Sequence, residues 1–153
     1  MGRNGSFEYK EFEQFKNKIS KLTEQQVQEF IIACAKELAA RLLSKTIKRT
    51  PVGQYPSSSG KVGGTLRRGW TTGKSASAYV DSLDIKLSNG VYTIEIVNPV
   101  DYASYVEFGH RTRNGEGWVE GKFMLTISEQ EIQAASPKIL ENKINKMLGE
   151  CFK

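Results

Sequence analysis

Apolar positions recur at helical spacing near both ends of the chain and alternate with polar ones in the middle. Phe12, Phe15, Ile19 and Leu22 share one face and predict a helix from about Glu8 to Leu22, with Lys10, Glu11, Glu13, Lys16 and Lys18 covering the rest. Thr23-Glu-Gln-Gln26 matches a capping box and starts a second helix. That helix reaches Arg49, roughly 39 Å at 1.5 Å per residue. Val27, Phe30, Ile31, Cys34, Leu38 and Leu42 form its stripe, and Leu43 and Ile47 widen it. So wide a face needs more than one neighbour, either a sheet plus a helix or another subunit.

Thr50-Pro51 ends the helix, because the residue before proline is pushed out of the α region. Residues 51–64, rich in Gly, Pro and Ser, read as a mobile loop. Thr65 to Thr72 is expected to begin the sheet. Ser82 to Ser88 alternates Leu83, Ile85 and Leu87 with polar residues, and Val91 to Val97 is rich in β-formers. Asn89-Gly90 joins these runs, and such a pair predicts a hairpin with a type I′ turn. Asp101 is expected to cap a short helix to Phe108, with Tyr102, Tyr105 and Val106 on one face and Gly109 as its stop. His110 to Gly121 reads as an extended arm or ribbon. Lys122 to Gly149 reads as mainly helical. A second capping-box match at Ser128-Glu-Gln-Glu131 leaves Phe123 to Ile127 open as a strand, and Ser136-Pro137 predicts a break or kink. Ile139, Ile144, Met147, Leu148 and Cys151 supply the last apolar face.

The expected fold is α+β: two N-terminal helices, a small antiparallel sheet with an Asn-Gly hairpin, a short helix and a C-terminal helix. Residues 1–22 form a helical extension and 23–153 one α+β domain. No apolar run approaches the ~20 residues of a membrane span. Met1 to Lys21 is polar and mixed in charge, unlike a signal peptide. Cys34 and Cys151 stand far apart on helical core positions and His110 is alone, so no closed zinc site or redox Cys-x-x-Cys is expected. Buried reduced thiols suit an intracellular protein.

The chain has 153 residues and a formal charge of +5. That surplus is local: no acid lies between Glu37 and Asp81, a stretch holding Arg41, Lys45, Lys48, Arg49, Lys61, Arg67, Arg68 and Lys74. With Tyr55 and Trp70 nearby, it suits either DNA or an acidic partner surface. Lys61, Arg67, Arg68 and Lys74 are the candidate DNA-facing residues. Gly73-Lys74-Ser75 resembles part of a phosphate loop, but Arg68 occupies the position of the required first glycine. Glu107 and His110 can be drawn as an acid–base pair, yet no nucleophile motif accompanies them. The plainer expectation pairs Glu107 with Arg111 or with a partner subunit. Trp118 and Phe123 are expected to bury at a contact or to cluster on the domain's own sheet.

Several segments together resemble the head–tail joining (neck, or tail-completion) family of tailed phages. Arg49-Thr50-Pro51-Val52-Gly53 is similar to that family's helix-ending Thr-Pro-x-x-Gly turn. Thr65-Leu66-Arg67-Arg68-Gly69-Trp70 is similar to its Gly-x-Leu-Arg-x-x-Trp segment. Asn98-Pro-Val-Asp-Tyr102-Ala103-Ser-Tyr105-Val106-Glu107-Phe-Gly109-His-Arg111 resembles its Tyr-Ala-x-x-Val-Glu-x-Gly-x-Arg motif, and Gly121-Lys122-Phe123-Met124 leads into the last helix. The resemblance spans about residues 27–150. The long Ser/Gly loop and the helix over 7–22 depart from it.

The resemblance implies a non-enzymatic structural protein that forms a ring at the top of a phage tail or caps a headless tail-like particle. It implies no cofactor, metal or membrane. Partners would be further copies, six or twelve, and neighbouring tail-tube, sheath or connector proteins, with DNA passing through the ring. Assembly would take place in the host cytoplasm. Thr50, Pro51, Gly53, Leu66, Trp70, Tyr102, Tyr105, Glu107, Gly109, Arg111, Trp118 and Phe123 become the candidate structural or interface positions. The alternative is a small DNA-binding module using the basic stretch 41–74.

Overall fold

The computed structural model describes Asn17, Ser20 and residues 22–151, with only the backbone at Cys151. The helix expected over Glu8–Leu22 lies almost wholly outside these residues, as does the expected core position of the Cys151 side chain. Helix α1 runs Glu24–Arg49. Its capping box forms as expected: Gln26 N–H donates to Thr23 Oγ1 at 3.2 Å, and Thr23 N–H donates to Gln26 Oε1 at 2.9 Å. Thr50, extended ahead of Pro51, closes the helix.

Residues 51–62 are exposed throughout and hold one short 3₁₀ turn, Ser57–Ser59. The loop's ends approach so closely that a Cβ on Gly63 would run into the Gly53 carbonyl. Thr65–Gly69 then forms a helix, α2, and not the expected strand. A turn through Thr72 (φ 51°) and Gly73 (φ 82°) leads to Ser75, whose Oγ accepts from Ala78 N–H and caps α3, Ala76–Asp81. Helix α3 was not anticipated either. One and a half turns are too few to display a 3.6-residue period, so pattern alone does not distinguish such helices from strands.

The Asn-Gly hairpin is present, with β1 Lys86–Ser88 antiparallel to β2 Val91–Thr93 and Asn89 and Gly90 at φ 50° and 75°. The strands are shorter than the alternation implied. Beyond Thr93 the chain leaves the ladder, and Ile94 and Ile96 turn to the core. Helix α4 runs Ala103–Phe108 with Tyr102, not Asp101, at its cap position and no side-chain cap. The turn into the helix is instead held by Asn98 Oδ1, which accepts from Val100 N–H, and by Ala103 N–H, which donates to Val100 O. A second two-stranded ribbon follows, β3 Gly109–Arg111 against β4 Trp118–Glu120.

Helix α5 spans Met124–Cys151 without the expected break at Pro137. Its start corrects the second capping box and the strand alternative for Phe123–Ile127. Ser128 is fully buried inside the helix and its Oγ donates to Met124 O. Glu131 is drawn instead to Lys45 and Arg49 of α1.

The architecture is α+β, with two long antiparallel helices carrying the small elements on one side. Ala39 and Leu43 of α1, Leu66 of α2, Trp70, Val80 of α3 and Met124 of α5 make the core, closed by Ile94, Ile96, Val100, Ala103 and Val106. Lys143–Glu37 at one end of the α1–α5 seam and Lys45/Arg49–Glu131 at the other set its antiparallel direction.

Candidate functional site

The positions singled out by motif separate into a buried framework and an exposed rim. The framework begins at Thr50, whose side chain is fully buried. Its hydroxyl donates to Thr46 O at 2.7 Å and accepts from Trp70 Nε1 at 2.8 Å. Its carbonyl takes two donors of the Arg67 guanidinium, at 2.7 and 3.2 Å. One threonine therefore ties the end of α1 to α2 and to the indole that follows it. Leu66 is buried beside it, and its carbonyl accepts from Asn98 Nδ2. Gly69 lies so close to Asn98 that a Cβ would collide with Asn98 Oδ1.

Glu107 is the second joint. It is only 6% exposed. Its carboxylate accepts from Leu125 N–H at 3.0 Å, from Thr126 N–H at 2.8 Å and from the Thr126 hydroxyl at 2.7 Å. Those amides belong to the first turn of α5, which has no acidic residue of its own there. Glu107 is thus a cap supplied from another helix, placing negative charge at the positive end of the helix dipole. It does not face Arg111, and its neighbour His110 shares no hydrogen bond with it. The chain bends tightly around this joint. Lys122 and Phe123 N–H donate to Val106 and Glu107 carbonyls, and any side chain at Gly121 would strike Glu107 O. Gly109, at φ 86°, passes under Trp118 and the Val119 carbonyl.

The rim lies outside this joint. Tyr105, Phe108 and Trp118 are 58%, 61% and 55% exposed, and Val119, Phe123 and Ile127 stand beside them. Phe108 and Phe123 meet edge-on at 6.4 Å. Trp118 pairs across the ribbon with Arg111, and Val119 with His110. Tyr105 tilts over His110 at 5.7 Å. Trp118 lies over Gly109 of its own ribbon and Phe123 meets Phe108, yet both rings stay partly exposed. Tyr102 is exposed near the loop base, where Val52, Tyr55, Val62 and Val106 line a cavity of about 240 Å³ with it. Pro51 and Gly53 line the same cavity.

The basic stretch is less free than its composition implied. Arg67 is held by Thr50 O and Arg68 by Gly63 O, at 3.2 Å. Lys45 and Arg49 are paired with Glu131, and Arg41 with Glu37. Lys61 sits 5.7 Å from the Tyr55 ring centre, and Lys74 is exposed. Lys143, then Arg41, hydrogen-bonds Glu37 and holds its carboxyl below the usual range. Lys45 foremost does the same for Glu131. Burial pushes the Cys34 thiol up, as suits the packed position expected for it. The clasping acids Glu37 and Glu131 were missed from sequence. Their only signal was an acid-free run that had to find counter-charge somewhere.

No group of three or more His, Cys, Asp or Glu among the described residues is placed to hold a metal ion. No helix among them is long and apolar enough to cross a membrane.

A family profile described as "Bacteriophage HK97-gp10, putative tail-component" matches residues 13–109. The chain belongs to this HK97-gp10-like family. The match takes in α1, the loop, both short helices, the hairpin and α4, and ends at Gly109. Thr50, Arg67, Trp70, Asn98 and Glu107 all fall within it. The ribbon and α5, which carry Trp118 and Phe123, follow it. No curated protein and no solved structure matches the chain. Membership makes the protein a structural, phage-tail-related component.

Proposed function

We propose that the protein is a ring-forming subunit at the head-proximal end of a phage or phage-derived tail, acting as a neck, collar or tail-completion piece. The observation that carries this reading is the exposed aromatic rim on a family member whose Thr50, Arg67, Trp70 and Glu107 are bonded internally. Phe108, Trp118 and Phe123 leave large apolar faces in water, and aromatic side chains are enriched at interfaces. In a ring the rim would meet a different surface on the next copy. Such head-to-tail contacts close into rings when the rotation per subunit divides a full turn, as six- and twelve-fold rotations do. The exposed loop over 51–64 would reach toward neighbours, and Pro51 and Gly53 fix its base.

The role is mechanical: binding neighbours and holding an opening. DNA passing through that opening would meet Lys61, Lys74 and the exposed Arg68, while Arg67 is turned to the Thr50 carbonyl. The test is Phe108→Glu with Trp118→Glu in the full chain, followed by sedimentation. Both side chains are exposed, so the fold should persist by circular dichroism. The reading predicts discrete oligomers for the parent and monomers for the variant. Unchanged oligomers would remove the rim from the account.

A further inference from the structure

The Asn89-Gly90 hairpin opens into a groove. Its register sets Lys86 opposite Thr93, and would next bring Ile85 to Ile94 and then Asp84 to Glu95. Like charges directly opposite one another destabilise a ladder, and this one ends before they meet. Both arms still keep a strand's alternation: Leu83, Ile85, Ile94 and Ile96 are half-buried, while Asp84, Glu95 and Val97 are exposed. Between the arms lies a groove of about 700 Å³, lined by Leu83, Asp84 and Lys86 on one side and by residues 93–97 on the other. Residues 94–97 form no backbone hydrogen bond among the described residues, so their donors and acceptors are left for water or a partner. The groove's charges are Asp84 and Glu95 against Lys86, an excess of one negative. All three are exposed, and none forms an ion pair among the described residues.

Side chains of complementary chemistry stand on the β3–β4 ribbon. Trp118 is 55% exposed and lies across from Arg111, so indole and guanidinium share one face of the ribbon. Arg111 is exposed as well, and neither it nor Trp118 Nε1 has a hydrogen-bond partner among the described residues. Residues 109–122 hold Arg111, Arg113 and Lys122 against Glu116 and Glu120, an excess of one positive. Glu116 is already engaged by Asn114 Nδ2 at 3.1 Å. The 51–64 loop is the competing occupant, but Lys61 is its single charge and stands 5.7 Å over the loop's own Tyr55 ring. Trp and Arg are also among the residue types that most often carry the binding energy of a protein contact.

We infer that Trp118 of one copy enters the hairpin groove of the next, with Arg111 between Asp84 and Glu95. The inference rests on the ring reading and names the surface that receives the rim. The indole would cover Leu83, Ile94 and Ile96. Its N–H and the guanidinium would supply donors to carbonyls of residues 94–97. Ribbon and hairpin are different surfaces, so every copy offers both halves of the contact, as a closed head-to-tail ring requires.

The test mixes two isotopic forms of the full-length protein. Light copies carry the photo-crosslinker p-benzoyl-phenylalanine in place of Trp118, and heavy copies are unsubstituted. Mass spectrometry should find light chains joined to residues 79–86 and 93–97 of heavy chains. Sedimentation supplies the second arm. Arg111→Glu, and separately Asp84→Arg with Glu95→Arg, should each weaken self-association about tenfold per contact, as two exposed charge pairs turn repulsive. The second variant keeps like charges across the hairpin, so its arms stay parted. Combining all three substitutions should restore association. Crosslinks to the 51–64 loop or elsewhere, or within single copies alone, overturn the seat. So does a combined variant that stays weak. An unsubstituted protein that sediments as a monomer removes the ring and the seat together, whereas an oligomer crosslinked elsewhere removes the seat alone. The crosslink map uses no charge variant, so a variant that fails to fold does not shield the inference.

Discussion

Replacing Glu107 with alanine removes three hydrogen bonds at once and leaves the first turn of α5 without a cap. Loss of a side-chain cap costs about 0.5–2 kcal/mol. Here two backbone amides also lose their acceptor in a part-buried place, at about 1–3 kcal/mol for buried donors left unmatched. The charge–dipole attraction contributes up to about 2 kcal/mol in partly buried geometry. These effects overlap, because the same oxygens serve all three, so a total near 3 kcal/mol is more realistic than their sum. For a chain of this size that corresponds to a fall in Tm of about 10 °C. Glu107→Gln should fall between alanine and the parent, since one oxygen still accepts from Thr126 while the amide group faces Leu125 N–H. Urea and thermal denaturation of the three proteins measure this directly. A loss under about 0.5 kcal/mol for alanine would refute the cap. Were stability kept but oligomers lost, Glu107 would serve a neighbouring subunit, one of the two pairings expected for it from sequence.

Thr50→Val and Trp70→Phe should each cost about 1 kcal/mol, and the double variant less than their sum, since both break one shared hydrogen bond. Strict additivity in a denaturant cycle would contradict the coupling. Glu37 and Glu131 have folded-state pKa values held below the usual carboxylate range by their lysine and arginine partners. Their contribution is therefore complete above about pH 4.3 and fades as pH falls through the lowered folded values. Glu37→Gln should lower stability at neutral pH and flatten the acid side of the stability–pH curve; a curve of unchanged shape counts against the clasp. Lys61→Gln with Lys74→Gln should reduce the salt dependence of any DNA affinity by about two charges' worth of slope. An unchanged slope removes DNA from the loop.

What could be read in advance was local. Thr23 and Gln26 sit three residues apart and bond to each other, so the start of α1 was visible in four letters. Asn89-Gly90 set the hairpin for the same reason: both residues must take positive φ, and few pairs do so willingly. The same local reading failed at Ser128-Glu-Gln-Glu131, where the pattern is present but the partners are not. Ser128 bonds backward within a helix already begun, and Glu131 answers cations on α1. The short helices at 65–69 and 76–81 have no period to show. Their helicity is decided by where Leu66 and Val80 must point to reach the core. Arg67 and Thr50 are 17 residues apart, and Glu107 and Leu125 are 18 apart. Neither joint leaves a trace in the spacing of its own segment. Trp118 and Phe123 stood out in the sequence as either a contact or a cluster on the domain's own sheet and Phe108 did not stand out, while the buried role of Glu107 became clear only once α5 was seen to begin beside it.

The most direct test is to find the chain in assembled particles. A small tag on the C-terminus, located in averaged electron micrographs of purified tails, should mark a single closed ring at the head-proximal end and no other level. Particles that lack the chain, or carry it along the whole tail, would contradict the account.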